Sequence, residues 1–120
     1  WPWSPVLVSQ WTRSYGAQWQ KEFALFLVLL TYTQPLEAVD ALVEEHRAFL
    51  HRQYATGVFL LSGRKEPRDG GVILADASSA LELQAILAED PFQRHGVASY
   101  EVIEFLPSMA APALASWVVT

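Results

Sequence analysis

Two ionisable residues, His46 and Asp90, fall at helical positions where packing alone favours an apolar side chain. His46 follows Val43 by three residues and precedes Leu50 by four, so it lies on the apolar stripe of the first predicted helix. An imidazole that faces the interior needs a hydrogen-bond partner, because an unsatisfied polar group there costs about 1–3 kcal/mol. Histidine is also a common general acid or base, since its ordinary pKa lies near neutral pH. By itself, the pattern is more typical of a structural histidine than of a catalytic one.

The second predicted helix offers a partner for this histidine. Asp90 follows Leu87 by three residues and Ile86 by four, so its carboxylate leaves the helix on the side that faces the sheet. The same residue has another interpretation, because an aspartate followed by Pro91 is typical of the N-cap and first position of a short helix. Spacing alone favours the cap and leaves the pair with His46 as the second hypothesis.

The loop between the second and third predicted strands is basic in an otherwise acidic chain. It carries Arg64, Lys65 and Arg68, whereas the whole chain has a formal net charge of −5. These cations offer a place for an anionic ligand over the end of the sheet, although a solvated turn is the commoner explanation for such a run. His46 and His51 are five residues apart and lie on different helix faces, so the sequence predicts no zinc site.

Composition excludes several other classes of protein. A chain of 120 residues with 52% hydrophobic residues predicts one folded domain. The absence of cysteine excludes disulfides, thiolate metal sites and a cysteine nucleophile, and it agrees with a cytoplasmic location. The negative charge argues against nucleic acid and anionic membranes as partners. The apolar run 23–32 is about half the roughly 20 residues that a membrane-spanning helix needs, so a buried strand is predicted there.

The predicted elements follow the order strand, helix, strand, strand, helix, strand. Their predicted ranges are 24–32, 35–54, 58–62, 72–75, 79–89 and 100–106, with a turn at 68–71 that makes the middle strands a hairpin. Right-handed crossovers place both helices on one face of a four-stranded antiparallel sheet. The predicted fold class is therefore α+β, with the ferredoxin-like βαββαβ arrangement.

The predicted domain occupies residues 23–107, between an aromatic-rich N-terminal extension, 1–22, and a C-terminal tail, 108–120. The first strand is apolar on both faces, but the helices cover only one of them. A second surface must cover the other face, and a homodimer that packs sheet against sheet is the predicted arrangement. The alternative is that the N-terminal extension folds over this face.

Four stretches of the domain, in order, resemble the YciI-like (YCII-related) family of the dimeric α+β barrel superfamily. They read LTYTQPLEAVDALVEEHRAFL, LLSGRKEPRDGGVILA, AEDPFQRHGVASYEVIEF and LPSMAAPALA. The resemblance implies a dimer and an acid/base pair, in which His46 is the shared histidine and Asp90 is the aspartate of the DPF motif. Ser62 and Gly63 match the serine and glycine that end the second strand. Arg64 stands where many relatives have a proline, which changes what the loop offers to a ligand.

The function that this resemblance implies is proton transfer on a small cyclic or hydroxyquinone-like substrate, without a metal or an organic cofactor. His46 would act as general base or acid and Asp90 would orient it, while Ser62, Arg64 and Tyr32 would hold substrate oxygen atoms. A lyase, an isomerase or a dehydrohalogenase would use such a device. The alternative is a non-catalytic module that binds or senses small molecules. RNA binding is a weaker hypothesis, because the third predicted strand lacks stacking aromatic residues and the chain is negatively charged.

Overall fold

Four strands, four α-helices and one 3₁₀ helix form the regular structure of residues 25–118, the part of the chain that the computed structural model describes. In chain order these elements are β1 (Leu25–Tyr32), α1 (Leu36–Asp40), α2 (Val43–Thr56), β2 (Phe59–Arg64), β3 (Gly70–Asp76), α3 (Ala80–Leu87), α4 (Pro91–Arg94), β4 (Ala98–Phe105) and the 3₁₀ helix (Pro112–Trp117). The predicted extension 1–22 lies outside the described residues. None of the described helices is long and apolar enough to cross a membrane.

The strands form one antiparallel sheet in the order β2–β3–β1–β4. This order places β1 and β3 in the middle, and the hairpin partners β2 and β3 are neighbours. It is the order that two right-handed crossovers produce in a βαββαβ chain. The α+β, ferredoxin-like fold predicted from the sequence is confirmed.

The first predicted helix is divided in two, whereas the sequence predicted one helix over 35–54. The N–H of Leu42 donates to the Val39 carbonyl oxygen at 3.0 Å, a 3₁₀-type bond that tightens the chain after α1. Regular bonding then restarts in α2, where the N–H of His46 donates to the Leu42 carbonyl at 2.9 Å. Neither Ala41 nor Leu42 is a helix breaker, so the pattern gave no warning of this division.

The end of α2 is fixed by Gly57, three residues after the predicted helix end at 54. Gly57 has a φ of 84°, in the left-handed region that glycine adopts without strain. Its N–H donates to the Tyr54 carbonyl and the N–H of Val58 donates to the Gln53 carbonyl, each at 3.1 Å. These two bonds form a Schellman motif, which ends the helix and directs the chain into β2.

Ser79 and Glu82 cap the start of α3 in a modified capping box. The Ser79 hydroxyl accepts from the N–H of Glu82 at 3.0 Å, as expected of an N-cap. The Glu82 carboxylate reaches back to the N–H of Ser78 at 2.8 Å, one residue earlier than a capping box requires. The helix then ends at Leu87, and α4 begins four residues later at Pro91.

The core lies between the helices and one face of the sheet. The Phe49 ring of α2 meets the Phe59 ring of β2 edge to face, with centroids 5.7 Å apart. Both rings are fully or almost fully buried, so replacing either by alanine is expected to cost about 3–5 kcal/mol. Other buried members of this core come from β1, β3 and α3: Phe26, Val28, Leu30, Ile73, Ala75, Leu83 and Leu87.

The hairpin turn lies earlier than the predicted 68–71. The N–H of Lys65 donates to the Gly70 carbonyl at 3.0 Å, which closes the loop over residues 65–69, and Gly70 already belongs to β3. A Cβ atom added at Gly70 would lie 1.8 Å from the Leu30 carbonyl oxygen. The glycine is therefore required by the close approach of the β1 backbone, and the turn prediction mistook it for a turn residue.

Candidate active site

His46 of α2 and Asp90 at the start of α4 are in direct contact. The Nδ1 atom of His46 lies 2.8 Å from Oδ1 of Asp90, a hydrogen bond across 44 positions of sequence. The helical stripe turns His46 toward the interior, and the α3–α4 junction brings the carboxylate to it. The structure thus brings together the two residues that the sequence proposed as an acid/base pair.

Asp90 is completely buried, and hydrogen bonds compensate its carboxylate. Besides His46, Oδ1 accepts the backbone N–H of Phe92 at 3.0 Å, and Oδ2 accepts the Tyr100 hydroxyl at 2.5 Å. The bond to Phe92 is the N-cap bond of α4, so the two roles that the sequence left open are held by one side chain. Such bonding is what a buried carboxylate requires, because a buried charge without partners is strongly unfavourable.

Tyr100 completes this network and was not identified from the sequence. Burial raises the pKa of Tyr100 well above its ordinary value of 10.0, and the charge of Asp90 raises this pKa further. The phenol therefore stays protonated and donates to the carboxylate. An available signal was the alternation in the sequence of β4, where Ala98, Tyr100 and Val102 alternate with the polar residues Ser99 and Glu101.

The ring of His46 is held in a fixed plane by Phe92. The two rings stack with centroids 3.9 Å apart and an interplanar angle of 6°. Because the Asp90 carboxylate only accepts hydrogen bonds, Nδ1 must carry the hydrogen, which leaves Nε2 of the neutral ring with a lone pair. Among residues 25–118, Nε2 has no hydrogen-bond partner. The arrangement therefore leaves one basic nitrogen for an incoming molecule.

A pocket of about 330 Å³ adjoins this histidine. Five of the predicted site residues line it, namely Tyr32, His46, Ser62, Gly63 and Arg64. Asp90 does not line the pocket, since its side chain is 0% exposed and lies behind His46, which is 14% exposed. Asp90 can thus affect a bound molecule only through the imidazole. Other described lining residues are Leu30, Val43, Arg47, Leu50, Arg68, Gly70, Gly71, Val72, Ile73 and Phe92.

The hydroxyl of Ser62 already has a partner within the protein. It forms a short hydrogen bond with the hydroxyl of Tyr54 on α2. Each hydroxyl can donate one hydrogen bond and accept others, so Ser62 keeps part of its capacity for a ligand. Tyr54 was not identified as a site residue from the sequence, and its ring packs edge to face on Phe59.

Tyr32 and Arg68 lie at the end of β1 and at the hairpin. The Tyr32 ring meets Phe92 edge to face at 6.0 Å, so it packs on the residue that holds His46. Arg68 donates to Oδ1 of Asp40 on α1 at 2.5 Å, and this hydrogen bond raises the pKa of Arg68 above its usual value. The guanidinium group of Arg68 is thus committed to a partner within the chain.

A family model described as the YCII-related domain matches residues 24–106 of this sequence. The match covers well over half of the chain, and the protein belongs to this family. The resemblance carried by the four sequence stretches is confirmed.

Solved structures with a similar fold include two kinds of enzyme. The 5-chloro-2-hydroxyhydroquinone dehydrochlorinase TftG of Burkholderia phenoliruptrix AC1100, in complex with 2,5-dihydroxybenzoquinone, is similar over 69% of this chain and 94% of its own, with 20% identity and a TM-score of 0.61. The cofactor-independent oxygenase SnoaB of Streptomyces nogalater is similar over 74% of this chain and 96% of its own, with 18% identity and a TM-score of 0.46. A comparison with curated protein sequences found no match. At these identities, the likeness to TftG establishes the shared fold.

Proposed function

We propose that the protein is an acid/base enzyme that needs no cofactor and acts on a small cyclic or hydroxyquinone-like substrate. The observation that carries this proposal is the fixed imidazole of His46. Its Nδ1 is bonded to the buried Asp90, and its Nε2 is free of partners among the described residues. The fold shared with a dehydrochlorinase that binds 2,5-dihydroxybenzoquinone supports the choice of substrate class.

The proposed chemistry begins with proton transfer to Nε2 of His46. The proton leaves a C–H or O–H group of the substrate, and the imidazolium that forms is stabilised by Asp90 through the Nδ1–H bond. In an elimination, the electron pair left on the substrate forms a double bond, a leaving group departs with its own electron pair, and His46 later passes its proton to water. In an isomerisation, the imidazolium returns the proton to a different substrate atom. Neither the elimination nor the isomerisation requires an oxidant or a reductant.

Asp90 is proposed as a positioning residue for this step. It sets which ring nitrogen carries the hydrogen, and its own orientation is set by the Tyr100 hydroxyl and the Phe92 N–H. The predicted binding residues Tyr32, Ser62 and Gly63 line the same pocket, and we propose that they contact substrate oxygen atoms.

A homodimer is proposed to cover the second face of the sheet. Leu61 pairs with Leu74 in the β2–β3 register, one residue out of phase with the Ser62–Ile73 pair that faces the core. Its side chain is 67% exposed, and Ile103 of β4 is exposed as well. Exposed large apolar side chains on the sheet face opposite Ser62 and Ile73 are typical of a protein–protein contact. Packing between two copies of this face is the arrangement that we propose.

The proposed function is tested by replacing His46 and following turnover. Halogenated hydroquinones, hydroxyquinones and enolisable lactones are to be incubated with the wild type, with His46→Ala and with His51→Ala. His51 lies on the same helix but is exposed, so its variant is the matched control. Loss of a general acid or base is expected to lower the rate of the processed compound about 10²–10⁴-fold in His46→Ala alone.

Equal rates in the wild type and His46→Ala would contradict the mechanism. Binding of these compounds without turnover by the wild type would favour the non-catalytic binding module instead. Light scattering on the same preparations tests the dimer, which a mass equal to the 13.4 kDa monomer would contradict.

A further inference from the structure

The pocket beside His46 is unusually cationic for an acidic protein. Three arginines line it, Arg47, Arg64 and Arg68, and none of its described lining residues is a carboxylate. The whole chain nevertheless has 13 acidic and 8 basic residues. Positive side chains gathered around a concave surface concentrate anions there, because the field lines of like charges are focused in a cleft. The local charge therefore points to a negatively charged ligand.

Two of these three arginines are available to a ligand. Arg68 is engaged by Asp40, as described above. Arg64 approaches Glu66 only at 3.7 Å, and the two side chains are 64% and 85% exposed, so solvent screens this ion pair and the bond restricts Arg64 little. Arg47 has no carboxylate within ion-pair distance among residues 25–118. The free positive charge of the pocket is thus that of Arg47 and Arg64.

These two residues approach the pocket from different elements. Arg47 follows His46 directly on α2. Arg64 pairs with Gly71 in the β2–β3 register, two residues after Ser62, whose side chain bonds to α2. Alternation along a strand therefore sends Arg64 toward the helix side of the sheet.

The remainder of the lining suits a flat ring. Leu30, Val43, Leu50, Ile73 and Phe92 supply apolar surface, and the volume of about 330 Å³ is at the small end of the range for ligand pockets. Arginine binds a carboxylate through two parallel N–H···O bonds, which gives directional as well as charge complementarity. An apolar wall with two arginines at its rim matches a ring that bears one such group.

We infer that the pocket binds a cyclic substrate that carries a carboxylate, held by Arg47 and Arg64 while the ring lies beside Nε2 of His46. This inference rests on the proposed function for the identity of the pocket as the substrate site. It adds the class of substrate, a ring carboxylate. The arginines are binding residues in this account, and His46 alone transfers protons.

Binding of a matched pair of probes tests the inference without any need for turnover. The probes are 2,5-dihydroxybenzoate and its uncharged amide, 2,5-dihydroxybenzamide, titrated calorimetrically against the wild type, Arg47→Gln, Arg64→Gln and Arg52→Gln. Arg52 lies on α2 but does not line the pocket, which makes its variant the control. The wild type is expected to prefer the benzoate by at least about tenfold, since hydrogen bonds to a charged group are worth that much.

Each of the Arg47 and Arg64 variants is expected to weaken benzoate binding about tenfold and to leave amide binding unchanged, whereas Arg52→Gln changes neither. Arg47→Lys, which keeps the charge but loses the planar guanidinium group, should recover only part of the affinity.

Inorganic phosphate is the competing anion, and its displacement of the benzoate at comparable affinity would overturn the assignment to a ring carboxylate. Equal binding of the two probes, no binding of either, or benzoate binding that does not depend on the arginines would also overturn it.

The inference and the proposed function can fail separately. If benzoate binding depends on the arginines but no compound is turned over through His46, the carboxylate site stands and the enzyme proposal fails. If turnover depends on His46 but the two probes bind equally, the enzyme proposal stands and the carboxylate site fails.

Discussion

The two sides of the pocket satisfy their polar groups in opposite ways. On the α4 side, Asp90 is completely buried and accepts hydrogen bonds from His46, Phe92 and Tyr100. On the hairpin side, Arg64 is largely exposed, and within residues 25–118 its one ion pair is a long contact with Glu66. The side chains around Asp90 are held in one geometry, because breaking any of these hydrogen bonds leaves a buried polar group unpaired. The second side can change with little effect on folding, since water replaces any contact that is lost.

This difference suggests a division of labour within one small domain. In the proposed function, the buried side holds the proton-transfer group, whose position must be accurate to be useful. In the same proposal, the exposed side selects the ligand, because Arg64 lines the pocket and is open to solvent. The predictions below test this contrast, beginning with the largest expected effect.

The largest loss is expected when Asp90 is replaced by alanine. The change leaves the His46 ring, the Phe92 N–H and the Tyr100 hydroxyl without their shared acceptor, and breaking a buried pair typically costs about 3–5 kcal/mol. Urea denaturation measures this as a fall in the free energy of unfolding. Glu66→Ala, which removes an exposed carboxylate at the hairpin, is the control and should stay within about 0.5 kcal/mol of the wild type. Similar losses in the two variants would remove the contrast between the two sides.

A smaller loss is expected for Tyr100→Phe, together with a change in pH dependence. Removal of a hydrogen bond to a charged group is expected to cost about 1.5–3 kcal/mol at neutral pH. The raised pKa of Tyr100 means that the native state keeps this proton above pH 10.0, where the phenol of the unfolded chain has ionised. The unfolded state then binds fewer protons, so stability is fully present below that pH and falls as the pH rises above it.

Denaturant titrations at neutral pH and above pH 10 measure this dependence. The wild type should lose more stability than Tyr100→Phe between the two pH values. The other tyrosines are present in both proteins, so the difference in loss is the contribution of Tyr100. Equal losses would show that Tyr100 makes no pH-linked contribution to stability.

Periodicity explains how much of this arrangement was predictable. The apolar stripe predicted the inward side of His46, because burial imposes a helical period on the sequence, and the order of the elements predicted the sheet. The division between α1 and α2 was missed, since it depends on local bonding around residues 41–42 and not on a helix breaker. Tyr100 was missed because only the fold shows that β4 passes behind Asp90.

The arginines illustrate a different limit. Arg47 lies off the apolar stripe of α2, so the helical period predicts an exposed side chain. The residue is exposed at the surface, yet a long side chain can extend along the protein and line a neighbouring pocket. Arg47 and Arg64 line the same pocket because β2 pairs with β3 and α2 lies over the sheet. The distance between a helix residue and a strand residue is set by the tertiary fold, and it produces no periodic pattern in the sequence.

The central claim is that the buried side of the site presents Nε2 of His46 as the basic nitrogen. Long-range ¹H–¹⁵N correlation spectra of the histidine rings, with His46→Ala for assignment, measure which nitrogen carries the hydrogen in the neutral form. The account predicts a protonated Nδ1, bonded to Asp90, and a Nε2 atom with a free lone pair. A neutral ring with the hydrogen on Nε2 and none on Nδ1 would contradict it.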